Sequence, residues 1–190
     1  MAESSIVLTT EKANGESNEQ RIIDAARKDP KAFGDLYMLY VEQVFRYLFS
    51  LIGNVHEAED ATAQTFLSAF ESFGKFRQDG HFASWLFTIA RNKALDTFRK
   101  RKITSSIDEV DIAVNNDPLY DIIQSEKTAT LAKLIHALPE QERELLRLRF
   151  LANMSFPEIA HFLHRNEDAV KKSTYRLVAR LHSQVEVSNE

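Results

Sequence analysis

Apolar residues recur at helical spacing through the first half of the chain. Over residues 33–51 they line one wide face, and the pattern ends at Gly53. Asn54, followed three residues later by Glu57, has the spacing of a capping pair that opens the next helix. The pattern therefore predicts two consecutive amphipathic helices, preceded by a short helix over 19–28.

A third helix is predicted over 82–101, with apolar residues directed inward and basic residues outward. The core of the second and third helices is expected to contain Ala58, Ala61, Thr65, Phe66, Ala69, Phe70, Phe73, Trp85, Leu86, Ile89, Ala90, Leu95 and Phe98. No segment alternates with a period of two, so the predicted fold class is all-α.

The last third of the chain predicts four more helices. One covers about 128–137, and another opens at Pro139, since a proline suits the first helical turn. Ser155 and Glu158 have the spacing of a capping box, which predicts a helix over 156–163.

The final helix is predicted over 167–182, with Asn166 as its cap. Its inward residues are expected to be Val170, Leu177, Val178 and Leu181. The opposite face is polar and basic, and the helix follows its predecessor after a short turn. This arrangement is typical of a helix-turn-helix that binds the major groove of DNA.

An acidic span separates the two helical halves. Residues 103–125 contain no base and five acids, namely Asp108, Glu109, Asp111, Asp117 and Asp121. The same span contains the pairs Ser105-Ser106, Asn115-Asn116 and Asp117-Pro118, which favour a linker. An ordinary solvated loop is the alternative. The predicted organisation is a disordered tail over 1–18, a helical domain over 19–102, an acidic linker over 103–127 and a second helical domain over 128–190.

Composition narrows the possible functions. With 190 residues, 44% of them hydrophobic, the chain can bury one moderate core or two small ones. It has no cysteine for disulfides or thiolate metal sites, and only five glycines, which leave no phosphate-binding loop. No apolar run approaches the roughly 20 residues of a membrane span, so an intracellular protein without cofactor or metal is expected.

The formal net charge of −4 hides a strongly uneven distribution. Six basic residues and one acid lie within 91–102, and five basic residues and two acids lie within 164–181. Because phosphate responds to the local field, two separate basic segments are compatible with nucleic-acid binding despite the negative total.

Two other function classes fit parts of the chain. A LuxR-like transcriptional regulator shares the Glu-Arg-Glu-Leu-Leu run of residues 142–146, but residues 37–102 lack the alternating strands of a sensor or receiver domain. An enzyme is disfavoured because no nucleophile lies in a recognisable turn and the histidines are scattered at His56, His81, His136, His161, His164 and His182.

Three segments in a fixed order carry a resemblance to a known family. They are AEDATAQTFL at 58–67, FASWLFTIARNKALD at 82–96, and the helix-turn-helix described above. The chain resembles the extracytoplasmic-function (ECF) group of bacterial sigma factors, small members of the sigma-70 family that keep only conserved regions 2 and 4. The resemblance implies a non-enzymatic subunit that binds core RNA polymerase, directs it to promoters and assists their opening. A conventional helix-turn-helix regulator that binds promoter DNA without polymerase is the alternative.

The resemblance assigns a polymerase contact to the helix over 57–73. In the family this helix docks on the coiled coil of the largest polymerase subunit, which makes Glu59, Asp60 and Gln64 the expected contact residues. The usual Gln-Glu pair is Ala63-Gln64 here, so a charge of that contact is absent. A merely solvated helix face is the alternative interpretation.

The helix over 82–102 and the loop before it read the melted minus-ten element in the family. An opened strand needs basic groups for its phosphates and a surface for unstacked bases. The matching positions are Arg77, His81, Phe82, Arg91, Asn92, Lys93, Asp96, Arg99 and Lys100. Trp85 is interpreted as a core residue.

The last helix would read the minus-thirty-five element in the major groove. The candidate contacts are Arg165, Asn166, Lys171, Lys172, Ser173, Tyr175, Arg176 and Arg180. The turn before it departs from the family pattern, because His164 and Arg165 replace a glycine and a branched apolar residue. His164 is therefore expected to need an unusual backbone conformation, and Arg165 to reach a phosphate.

The resemblance also implies partners and a place of action. In the family the segment between the domains threads toward the polymerase active-site cleft, and an anti-sigma factor covers the polymerase-binding faces. The expected partners are core RNA polymerase, promoter DNA and an anti-sigma factor in the bacterial cytoplasm, with no small-molecule substrate and no membrane insertion.

Overall fold

All regular elements that the structure describes are helical. The structure is a computed structural model that describes residues 18–77, 81–105 and 126–187. In chain order the helices are α1 (18–28), α2 (Phe33–Ile52), α3 (Val55–Ser72), α4 (Phe82–Ser105), α5 (Glu126–His136), α6 (Glu140–Leu146), α7 (Phe156–Leu163) and α8 (Glu167–Val187). The predicted all-α class is confirmed for these ranges.

The helix boundaries follow local capping chemistry. Gly53 takes a left-handed conformation with φ 75°, and its N–H donates to the carbonyl of Phe49, which ends α2. The side chain of Asn54 then accepts a 3.1 Å hydrogen bond from the N–H of Glu57. Both predicted boundary signals are confirmed.

The first half packs α2, α3 and α4 around an aromatic core. Phe82 is 1% exposed, and Trp85 packs against it and against Phe76 with ring centroids 5.1–5.5 Å apart. Trp85 is therefore a core-packing residue, as expected. The predicted inward positions of three other residues are wrong, because more than one third of each residue is exposed, namely Phe70 (48%), Leu95 (44%) and Phe98 (37%).

The second half contains the helix-turn-helix. α6 begins at Glu140, one residue later than expected, and Pro139 precedes it as the N-cap. α6 then continues into a π-helical segment over Arg147–Leu151. α5 packs on α8 through a small cluster that includes Leu138, Leu177 and Leu181. The predicted inward position of Val178 is wrong, since this residue is 39% exposed.

The predicted tail and most of the predicted linker, including its five acids, lie outside the described residues. At its edges, α4 extends through Ser105 and α5 begins at Glu126. Among the helices that the structure describes, none combines the length and the apolar character needed to cross a membrane.

The two halves are packed against each other. α7 lies on α4, and the π-helical segment lies on α2. Met154, Ile159 and Phe162 of the second half belong to the same continuous apolar cluster as the core of the first half. No pattern in the sequence predicts this contact.

Candidate nucleic-acid interface

The outer side of α4 carries the candidate residues for an opened strand. Asn92, Asp96, Arg99 and Lys100 follow one another at helical spacing and are all exposed, while Lys93 is half-buried. Asp96 accepts a 3.1 Å hydrogen bond from Arg99, so the acid among these residues is partly neutralised by its neighbour. The strip is therefore predominantly basic and polar, as phosphate contact requires.

The residues predicted to shape a base pocket before α4 are split between surface and core. Arg77 is exposed and His81 is half-buried, but the Phe82 ring is enclosed by Tyr40, Phe76 and Trp85. In this arrangement Phe82 offers no free face to an unstacked base. Residues 78–80 of the same loop lie outside the described ranges.

The turn of the helix-turn-helix has a well-defined hydrogen-bond structure. Ser155 and Glu158 form the predicted capping box at the start of α7. At its end His164 adopts the left-handed conformation, φ 51° and ψ 45°, and the N–H of Arg165 donates to the carbonyl of Ala160 at 2.9 Å. The unusual conformation expected at His164 is confirmed, and it costs free energy because a Cβ crowds the following carbonyl.

α8 has one buried and one exposed face. Asn166 caps it by accepting a 2.9 Å hydrogen bond from the N–H of Asp168, as predicted. The buried face contains Val170, Thr174, Leu177 and Leu181. The exposed residues include Lys171, Lys172, Tyr175 and Arg176. A rigidly held helix with an exposed basic face has the geometry needed to enter a major groove.

Several candidates of the second half contact other residues in the described part of the protein. Arg180 lies 2.5 Å from the carboxylate of Glu142 and so joins α8 to α6. The guanidinium of Arg165 donates to the Ser173 hydroxyl at 3.3 Å, which links the turn to the first part of α8. Arg165 is exposed and can move from this weak contact to a phosphate.

The candidate polymerase contacts on α3 are all exposed. Glu59, Asp60 and Gln64 lie on its outer side, and His56 Nδ1 is 3.6 Å from the Glu59 carboxylate. Further along the same helix Leu67 and Phe70 are 58% and 48% exposed. The periodicity pattern assigned Phe70 to the core, so it concealed this apolar extension of the acidic face. Exposed apolar residues beside a polar rim are typical of a protein-binding surface.

Buried ionisable groups lie in the contact between the halves. Burial raises the pKa of the Tyr47 phenol well above its usual value, and the Glu144 carboxylate beside it acts in the same direction. Burial likewise raises the pKa of Tyr40, with the charges of Glu19 and Glu158 adding to the effect. These two phenols therefore stay protonated in the folded protein.

Family models match both halves. The family described as Sigma-70 region 2 matches residues 36–103, and the family described as Sigma-70, region 4 matches residues 128–181. The structure also resembles CnrH, solved in complex with the cytosolic domain of CnrY, with a TM-score of 0.60 and 22% identity over 87% of this chain and 95% of that one. It resembles RpoE of Bartonella quintana, solved with the anti-sigma factor NepR, with a TM-score of 0.59 and 21% identity over 83% and 98%. These two structures show the fold.

Sequence relatives extend the comparison. The chain is 35% identical over 155 residues to the ECF RNA polymerase sigma factor BldN of Streptomyces coelicolor, covering 79% of this chain but only 59% of BldN. It is 30% identical over 149 residues to the ECF RNA polymerase sigma factor SigM of Bacillus subtilis, covering 77% and 91%. SigW of the same organism is 26% identical over 170 residues, covering 83% and 91%.

Proposed function

The chain belongs to the ECF group of RNA polymerase sigma factors, and on this premise we propose that it binds core RNA polymerase, directs it to specific promoters and assists their opening. The observation that carries the proposal is the presence of two separate basic surfaces on two helical units. One is the outer face of α8 behind a capped helix-turn-helix, and the other is the outer strip of α4.

The two surfaces suit different forms of DNA. An α8 that presents Lys171, Tyr175 and Arg176 outward can place side chains on base edges and phosphates of a closed duplex. The strip at Asn92, Arg99 and Lys100 presents exposed basic and polar groups, which suit the flexible backbone of a single strand. A protein that both recognises and opens a promoter needs both kinds of surface.

Polymerase binding is assigned to α3. Its exposed acids, Glu59 and Asp60, continue into the exposed apolar residues Leu67 and Phe70. This combination provides charge for orientation and apolar area for affinity, the two components of a protein–protein interface. Under this proposal the chain has no catalytic role of its own and acts in the bacterial cytoplasm, where its promoters and polymerase are.

We further propose an anti-sigma factor as a partner. CnrH and RpoE, which share this fold, are solved with CnrY and with the anti-sigma factor NepR. The domain organisation proposed is region 2 over 19–102 and region 4 over 128–190, joined by the acidic linker.

Run-off transcription tests the proposed function directly. Core RNA polymerase from a related bacterium is incubated with a pool of promoter fragments, with and without the purified protein. We expect transcripts that depend on the protein and start at a subset of the fragments. The proposal fails if core polymerase is neither bound nor redirected, and specific retention of fragments by the protein alone would instead establish a conventional regulator.

A further inference from the structure

An aromatic pair lies on the exposed side of the helix-turn-helix. The ring of Phe156, the first residue of α7, has its centroid 5.7 Å from that of Tyr175 on α8, with 59° between the ring planes. Phe156 is half-buried, whereas Tyr175 is 58% exposed. One ring of the pair is therefore anchored in the protein, and the other projects from α8.

The π-helical segment before α7 holds the anchored ring. The guanidinium of Arg149 lies over the Phe156 ring, 4.8 Å from its centroid, and its Nη1 donates a 2.7 Å hydrogen bond to the carbonyl of Met154. Asn153, just before this carbonyl, turns the chain with a positive φ of 52°. Because a guanidinium is planar and donates in fixed directions, it ties the ring to the turn. Contacts thus run from Arg149 through Phe156 to Tyr175.

The Tyr175 ring lies among the basic residues assigned to duplex DNA. Residues three and four positions apart are neighbours on a helix, so Lys171 and Lys172 lie one turn before Tyr175, and Arg176 follows it directly. All three basic residues are exposed. A duplex that is bound by these cations therefore brings its base edges to the ring.

A projecting aromatic ring suits one particular feature of the major groove. Hydrogen-bonding side chains read the donors and acceptors of base edges, whereas an apolar side chain reads the C5 methyl group of thymine. From the exposure and support of this ring we propose that Tyr175 contacts a thymine methyl group in the minus-thirty-five element, and that Phe156 and Arg149 are positioning residues for Tyr175. The inference rests on the proposed function and names a base that α8 reads.

Positioning matters because an exposed tyrosine rotates about two side-chain bonds. A ring that is ordered only when DNA binds loses this freedom at that moment, and the loss offsets the gain from a single methyl contact. Packing against Phe156 restricts the ring of Tyr175 beforehand, and Arg149 restricts Phe156 in turn. Removal of the Phe156 ring should therefore weaken thymine recognition, although Phe156 itself does not touch the base.

Replacement of thymine by deoxyuridine tests the contact, because it removes the methyl group and preserves base pairing. The probes are duplex fragments of a promoter selected by run-off transcription, with one deoxyuridine at a time in the upstream element on either strand. Competition experiments measure the ratio of holoenzyme affinities for the thymine and the uracil fragment. We expect one position at which uracil weakens binding about fourfold, which corresponds to the burial of one methyl group.

Substitutions assign this affinity ratio to Tyr175 and to its support. Tyr175→Ala should abolish the preference for thymine, whereas Tyr175→Phe should keep it, because the ring supplies the contact. Phe156→Leu retains apolar volume without a ring and should lower the ratio, while Phe156→Tyr should keep it. Arg149→Ala should lower the ratio in the same direction. Phe150→Leu is the control, since it removes an exposed ring of the same half and should leave the ratio unchanged.

The ratio separates positioning from a merely structural role. A variant that only destabilises the helix-turn-helix weakens binding of both fragments equally and leaves the ratio unchanged. An unchanged ratio in Phe156→Leu and Arg149→Ala would therefore overturn their positioning role. Equal affinity of the unmodified holoenzyme for thymine and uracil at every position, or loss of the preference in Tyr175→Phe, would overturn the methyl contact.

Failure of the proposed function is a distinct result. A holoenzyme that transcribes selectively but ignores uracil rejects the thymine contact and leaves the proposed function intact. If core polymerase is not redirected, the proposed function fails, and the same thymine and uracil pairs are made from the fragments that the protein alone retains. A preference for thymine that depends on Tyr175 would then uphold the contact, whereas its absence, or retention of no fragment, would reject it.

Discussion

The guanidinium of Arg101 on α4 forms an ion pair with the carboxylate of Glu57 on α3, with Nε 3.2 Å from Oε1. The same guanidinium donates a 3.0 Å hydrogen bond to the carbonyl of Ile52, close to the end of α2. The Arg101 side chain is only 28% exposed. Although it lies within a run of four basic residues, Arg101 joins three helices and is a structural residue.

The first prediction follows from this contact. Arg101→Ala should lower the free energy of unfolding by about 1–2 kcal/mol, because it removes charge-assisted hydrogen bonds that are partly shielded from water. Urea denaturation followed by circular dichroism measures the change. Lys102→Ala removes the same charge from an exposed neighbour and should change stability by less than about 0.5 kcal/mol. Equal stability of the two variants would show that Arg101 has no structural role.

The second prediction concerns the strained turn before α8. His164→Gly should stabilise the protein by about 1 kcal/mol, because glycine adopts the left-handed conformation without the crowding of a Cβ. Thermal unfolding provides the measurement. Asn153, the other described non-glycine residue with positive φ, is the control, and Asn153→Gly should give a smaller gain because asparagine tolerates this conformation better. A loss of stability with His164→Gly would indicate that its side chain makes a compensating contact.

Local signals in the sequence predicted the helices well. The caps at Asn54, Ser155 and Asn166 depend on residues two or three positions away, so their hydrogen bonds are encoded within a single turn. Periodicity placed the polar residues Glu59 and Lys171 outside correctly, but it wrongly placed Val178 of α8 inside.

Periodicity could not decide which apolar residues have a neighbour to cover them. Phe70, Leu95 and Phe98 fit an inward face by spacing, yet all three are more than one third exposed. A helix within a three-helix unit has two buried sides and an open one, and the spacing of apolar residues alone does not distinguish a core from a binding surface. The contact of Tyr47 with Glu144 joins residues 97 positions apart, and no local pattern encodes such a pair.

The third prediction uses the two buried phenols. In the folded protein the pKa values of Tyr40 and Tyr47 are raised, so above about pH 10 these groups ionise in the unfolded chain but stay protonated in the native state. The unfolded state then binds fewer protons, and stability present below pH 10 is lost as the pH rises. Each phenol should contribute a slope of about 1.4 kcal/mol per pH unit.

Urea denaturation between pH 9 and pH 11 measures this slope. Tyr47→Phe should remove the contribution of one phenol from the slope of stability against pH. Tyr175→Phe changes an exposed position and should leave the slope unchanged. An identical slope in wild type and Tyr47→Phe would contradict the assigned protonation state.

The fourth prediction tests the apolar extension of the polymerase-binding face. Leu67→Ser should weaken binding to core RNA polymerase by about tenfold, since an exposed leucine at an interface contributes on the order of 1–2 kcal/mol when it is covered. Fluorescence anisotropy of the labelled protein, titrated with core polymerase, measures the affinity. Val187→Ser replaces another strongly exposed apolar residue at the end of α8 and should have no effect. Unchanged affinity for Leu67→Ser would restrict the polymerase contact to the acidic residues.

The fifth prediction separates the two DNA-binding surfaces. Arg176 is exposed on α8, whereas Arg99 is exposed on α4 and paired only with its neighbour Asp96 among the contacts described. Arg176→Ala should weaken binding of the holoenzyme to a closed duplex promoter by about 1–3 kcal/mol and reduce the salt dependence of binding. Arg99→Ala should leave that binding nearly unchanged but lower the yield of heparin-resistant open complexes, because the positive charge of Arg99 binds phosphates of the separated strand.

A matched arginine and a melted template complete this experiment. Arg46→Ala removes an exposed arginine of α2 that lies outside both surfaces, and it should alter neither step.

On a template with a preformed bubble at the minus-ten element, the opening step is bypassed. An Arg99 contact that acts only by promoting strand separation would then leave Arg99→Ala with full activity, whereas direct contact with the single strand predicts that the defect persists. Because α4 carries an exposed basic strip and no buried binding cleft, we expect the defect to persist. If Arg99→Ala weakened duplex binding as much as Arg176→Ala, this result would contradict the assignment of duplex binding to α8 and single-strand binding to α4.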